Sequence, residues 1–77
     1  MSTNFVIVLV TTKDKSEAEK ISQTLLTEKL IACANIISSV ASCFWWQGKV
    51  DSADECLVIM KTHKSLFGEV QLRVKEL

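Results

Sequence analysis

The sequence predicts an α+β domain with elements in the order β-α-β-β-α around an antiparallel sheet. Three observations carry that expectation. Residues 4–12, NFVIVLVTT, form an uncharged apolar run rich in β-branched side chains. Ala18, Ile21 and Leu25 then recur at helical spacing. Residues 31–61 read as two long strands joined at Gln47-Gly48, where glycine tolerates the positive φ of a tight turn.

The first run reads as a central strand buried on both faces, because it is apolar almost throughout rather than at alternate positions. Asp14 follows as a helix N-cap, with Glu17 at capping-box spacing. Ala18, Ile21, Leu25 and Leu26 form the inner stripe of this helix. Lys15, Glu19, Lys20, Glu28 and Lys29 fall mostly on the opposite side. The helix should end near Lys29-Leu30 and deliver the chain into the hairpin, giving a βαβ unit with a right-handed crossover.

Length makes the hairpin unusual. Each arm has about 13 to 15 residues, or roughly 45 Å at about 3.3 Å per residue. A compact domain of 77 residues has a radius of gyration of roughly 11 to 12 Å and is only about 30 Å across. The outer half, around Phe44, Trp45 and Trp46, should therefore project as an arm. Counting back from the turn without a bulge pairs Trp45 with Val50, Ile36 with Ile59, Ile37 with Val58 and Ser38 with Leu57. Both faces are then apolar near the hairpin base, the pattern of a sheet covered on both sides. The remaining chain supplies helices for one side only. A second copy is expected to cover the other, with Phe44, Trp45, Trp46, Ile37 and Val58 at the subunit interface.

After the hairpin, Thr62 or Ser65 is the expected cap of a second helix with the stripe Leu66, Phe67, Val70, Val74 and Leu77. Gly68 within it costs about 1 kcal/mol relative to alanine. The chain stops on Leu77 with no C-cap glycine, which reads as a truncation of a single domain spanning residues 1–77. One more strand would complete a ferredoxin-like split βαβ arrangement, so an unpaired sheet edge is expected.

Composition narrows the function classes. Nine basic and nine acidic side chains cancel, leaving no electrostatic footprint for nucleic acid or an anionic membrane. No apolar run approaches the roughly 18 to 20 residues of a membrane span. No basic residue or convincing cleavage site marks the N-terminus as a signal peptide. Cys33, Cys43 and Cys56 are odd in number and form no CxxC. Reduced thiols fit a cytoplasmic protein. At 48% hydrophobic the chain is rich in core material for its size, which favours association.

Four segments, VLVTTKDKSEAEKI, LIACANII, FWWQGKV and CLVIMKTHKSLFGEV, together resemble the CutA divalent-cation-tolerance family over nearly the whole chain. The tryptophan pair followed by Gly48-Lys49, at its distance from CANI, is the most specific piece. The resemblance implies a ferredoxin-like fold and a homotrimer with sheets packed centrally and hairpins embracing neighbours. It also implies a role in binding copper or another divalent metal ion. The family's pattern continues past Leu77 into a histidine-proline-tyrosine-glutamate segment, a strand and a short helix, which are absent here. Ser38-Ser39 stands where relatives commonly carry proline and glycine, and Phe44 where an aromatic with a hydroxyl is frequent.

Cys33 falls on the family's recurrent cysteine, and its thiolate would suit Cu(I). The alternative is a small apolar residue in a buried strand. His63 is either a ligand or a solvent-facing residue at the helix start. Trp45 and Trp46 either stack on a ligand or pack between subunits. Asp51, Asp54 and Glu55 either hold a hard cation or mark a solvated edge. Lys13, Lys49 and Lys61 either line an anion cleft between subunits or are surface charge. No nucleophile-base-orienter set and no Gly-rich phosphate loop is present, so the chain does not read as an enzyme. Two further readings share the expected scaffold. One is a signalling module resembling the PII proteins, which bind small anionic effectors between subunits. The other is a trimeric assembly or anchoring core.

Overall fold

A computed structural model describes residues 4–77. The elements are β1 (Phe5–Thr12), α1 (Lys15–Thr27), β2 (Cys33–Trp46), β3 (Lys49–His63), a 3-10 turn (Lys64–Leu66) and α2 (Phe67–Glu76). Among the described residues the strands form one antiparallel sheet in the order β1-β3-β2. β1 and β2 are thus parallel with β3 inserted between them, which is the split βαβ arrangement.

The central strand is β3, and β1 lies at an edge. The expectation for residues 4–12 is corrected in both respects. Ile7 and Leu9 are 64% and 62% exposed, while Val8 and Val10 pack against the core. An uninterrupted apolar run conceals this alternation, because both classes of position carry apolar side chains.

Both helices lie on one side of the sheet. Their buried positions, Ala18, Ile21, Leu25 and Val70, form a single core with Cys56, Val58 and Met60 of β3. Leu26 is 40% and Phe67 43% exposed, so each lies at the margin of its expected stripe. Asp14 caps α1 as expected, its Oδ1 accepting the Glu17 amide at 2.8 Å. At the other end the Lys29 N–H donates to the Leu26 carbonyl and the Leu30 N–H to the Leu25 carbonyl. With φ of 60° at Lys29, this is a Schellman motif built on lysine rather than glycine.

Thr62 does not cap α2. It is the last buried residue of β3, and its hydroxyl donates to the Leu30 carbonyl at 2.6 Å. That bond fastens the exit of α1 to the central strand. The Arg73 guanidinium clamps Glu28, with Nε 2.9 Å from Oε1 and Nη2 2.8 Å from Oε2. This fork holds the Glu28 carboxyl below its ordinary pKa and raises that of Arg73, so both remain charged across the neutral range.

The hairpin register contains one irregularity. Trp46 pairs with Lys49 and Trp45 with Val50, as expected, and the ladder continues to Val40 opposite Glu55. Beyond it Ile37 pairs with Leu57 and Ile36 with Val58. Ser38 and Ser39 together therefore oppose Cys56, a bulge with Ser39 at φ 60°. The expected Ile37–Val58 and Ile36–Ile59 pairs each move by one residue. The bulge turns Ile37 to the open face, while Val58 lies on the face of β3 that carries Cys56 and Met60 toward the helices; it is fully buried in the chain's own core, which removes it from the expected interface. Serine in the left-handed region is strained where glycine is not. Ser39→Gly should raise the unfolding free energy by about 1 kcal/mol, measured as a higher urea midpoint. Ser38→Gly, at ordinary φ, should lower it.

The arm overhangs the domain. The molecule measures 42 × 28 × 21 Å with a radius of gyration of 13.8 Å, above the roughly 11 to 12 Å of a compact chain of this length. No helix among the described residues is long and apolar enough to cross a membrane.

Candidate functional site

Among the described residues, none covers the sheet face opposite the helices. Strand pairing places Leu9 beside Ile59, Thr11 beside Leu57, and Leu57 beside Ile37 on this face. Leu9 and Ile37 are 62% and 45% exposed. The Phe5 ring, also exposed, meets His63 edge-on at a centroid distance of 5.3 Å. His63 therefore stands beside an aromatic ring at the face's margin, with Ser65 Oγ 3.3 Å from its Nδ1. A continuous exposed apolar surface of this kind on a small domain marks an interaction site.

Along the arm the same face continues through Phe44 and Trp46, while Trp45 and Val50 point to the helix side, beyond the reach of either helix. Trp45 and Trp46 are 75% and 60% exposed. The four expected interface residues other than Val58 are thus all exposed, on two faces of the arm and at the base of the open face.

Cys33 pairs with Lys61, which pairs in turn with Ile7, so the thiol lies on the open face. It lines a shallow, mostly apolar cavity of about 380 Å³ with Ala32, Lys61 and the β1 residues Phe5, Val6 and Ile7. Cys56 is buried on the helix side, and Cys43 is exposed on the arm. The three thiols are therefore separated along the strands, with Cys33 and Cys56 on opposite faces. Among the described residues no group of three or more His, Cys, Asp or Glu is placed to hold a metal ion. One chain presents a single soft donor here, with a lysine ammonium as its cross-strand neighbour. This set is not a metal centre by itself.

The remaining candidates are dispersed. Lys13 follows the end of β1, and its Nζ is 3.8 Å from Glu17. Lys61 lies at the opposite end of β3 from Lys49, which sits at the hairpin turn. Twelve residues of strand separate Lys49 and Lys61, roughly 40 Å. One chain cannot gather them into an anion cleft. In the acidic cluster Asp51 Oδ1 accepts the Ser52 amide at 2.7 Å, while Asp54 points to the opposite face of the strand from Asp51 and Glu55.

Comparison with known proteins agrees with this geometry. The family profile described as "CutA1 divalent ion tolerance protein" matches residues 6–77. The chain belongs to the CutA1 family. A divalent-cation tolerance protein CutA from Pyrococcus horikoshii is 44% identical over 72 residues, covering 94% of this chain and 70% of that protein. The chloroplastic CutA 1 of Oryza sativa is 37% identical over 70 residues, with 91% of this chain covered and 40% of the relative. The chain thus spans well under half of the rice relative and about two thirds of others. Among solved structures, CutA1 from Oryza sativa superposes with a TM-score of 0.93 at 35% identity, covering 96% of this chain and 68% of that one. CutA1 from Ehrlichia chaffeensis gives 0.91 at 33% identity over 99% and 71%. The α+β architecture is therefore that of CutA1 structures.

Proposed function

We propose that this CutA1-family chain acts as a non-catalytic homotrimer that binds copper or another divalent metal ion and serves in metal tolerance in the cytoplasm. The observation that carries the proposal is the open apolar sheet face with Cys33 on it. Three copies meeting through that face would bury Leu9, Ile37 and Ile59 and bring Cys33 thiols from different chains toward one another. Thiolates select soft ions such as Cu(I), so convergence between copies supplies the donors that one chain lacks. The relatives' name, divalent-cation tolerance protein, supports the same reading. The dispersed lysines give the effector-binding alternative no comparable support. Copper titration under reducing conditions tests the proposal. Cys33→Ser should weaken binding at least about tenfold, or about 1.4 kcal/mol, without changing subunit number. Unchanged affinity in that variant would remove Cys33 from the site.

A further inference from the structure

The chain carries a single histidine, which stands at the end of the central strand. Strand alternation sets its direction. Thr62 is buried on the helix side, so His63 turns to the open face, in line with Ile59 and Lys61. Its cross-strand partner is Phe5, whose ring it meets edge-on at 5.3 Å. Phe5 and Ile7 are both exposed beside it. A body laid on the face so as to cover those two side chains covers the imidazole as well.

Among the described residues the charges nearest His63 along the strand and turn share one sign. Lys61 projects from the same face two residues back, roughly 7 Å along the strand, inside the screening length of about 8 Å at physiological ionic strength. Lys64 follows directly in the 3-10 turn. β1 has no charged residue between Phe5 and Thr12, and β2 presents the Cys33 thiol opposite Lys61. On β3 the nearest acid of this face is Glu55, roughly 27 Å back along the strand. Glu69, the nearest acid in sequence, belongs to α2 on the other side of the sheet, as do the charges of α1. No ion pair among the described residues engages Lys61, His63 or Lys64.

We propose that His63 makes association through the open face pH-sensitive, its protonation loosening the contact between copies. The inference rests on the homotrimer proposed above. Imidazole is the side chain whose ordinary titration falls between about pH 5 and 8. The separated chain accommodates both charge states. Ser65 Oγ, 3.3 Å from Nδ1, donates to the neutral ring or accepts from the protonated one, and water solvates the charge at this exposed position. Under a neighbouring copy the imidazolium is withdrawn from water beside lysine, with no carboxylate to offset it. Three copies around one axis repeat that cost three times. The proton is therefore favoured in the separated chain. By linkage, association is strongest above the imidazole titration and is lost as pH falls through it.

Sedimentation velocity of the 77-residue chain at about pH 7.5 and about pH 5.5, with ionic strength held constant, brackets that titration. The concentration needed for half-association of the wild type should rise at least about tenfold between them, since each excluded proton shifts an association constant by up to about tenfold per pH unit. His63→Gln, neutral throughout, should stay associated at both values. His63→Lys, charged throughout, should be weakened at both. A wild-type trimer indifferent to the change, equal acid weakening in His63→Gln, or full association of His63→Lys would overturn the switch and leave the trimer standing. A wild-type chain monomeric at the higher pH would overturn the trimer reading itself, and the switch with it.

Discussion

Leu9→Glu should convert the assembled protein to folded monomers. Leu9 is 62% exposed on the open face of β1, paired with Ile59, so an isolated chain accommodates glutamate in water. In a trimer built on that face each copy would bury an unpaired carboxylate, at a penalty of several kcal/mol per ion. The dissociation constant should rise by at least about a thousandfold, since about 4 kcal/mol corresponds to that factor. Sedimentation velocity reads the change directly. Retention of the wild-type sedimentation coefficient would place the contact elsewhere.

Met60→Ala should produce the largest loss in the stability of the chain itself. Met60 is fully buried in β3, between Val8 on one neighbouring strand and Ala34 on the other, beneath the helices. Truncating a buried methionine costs about 2 to 5 kcal/mol in transfer and cavity terms. A chain of 77 residues has roughly 4 to 12 kcal/mol of stability in all. The variant should therefore unfold at a markedly lower urea concentration, with the slope of the transition preserved. A loss below about 1 kcal/mol would mean that the core around β3 closes over the gap more completely than such sites usually do. Because Met60 faces the helices, its loss should follow the unfolding of each chain rather than dissociation, which separates it experimentally from Leu9→Glu.

The two variants rest on parts of the fold that were unequally legible in the sequence. The hairpin, its turn at Gln47-Gly48 and the Asp14 cap follow from local chemistry, and the structure bears them out. The position of β1 does not, because an apolar run reports burial demand without saying which neighbour meets it. Here no described residue meets the demand on the Ile7 and Leu9 side of β1. The bulge at Ser38-Ser39 was also hidden, since neither serine announces a positive φ. A one-residue slip moves a side chain to the other face: the extra residue lies on β2, so Ile37 turns to the open face and Val58 pairs instead with Ile36 on the helix side. The Arg73–Glu28 fork joins α2 to the C-cap residue of α1 across 45 positions, and no local pattern signals it. Cys33 was legible as a candidate from the resemblance, whereas its place on the open face became visible only with the strand register.

The central claim is that the open sheet face is covered by two further copies of the chain. Native mass spectrometry of the 77-residue protein at micromolar concentration tests it most directly. The account predicts one dominant species at three times the mass of a single chain, disappearing in Leu9→Glu. A wild-type protein that remains monomeric under those conditions would contradict it.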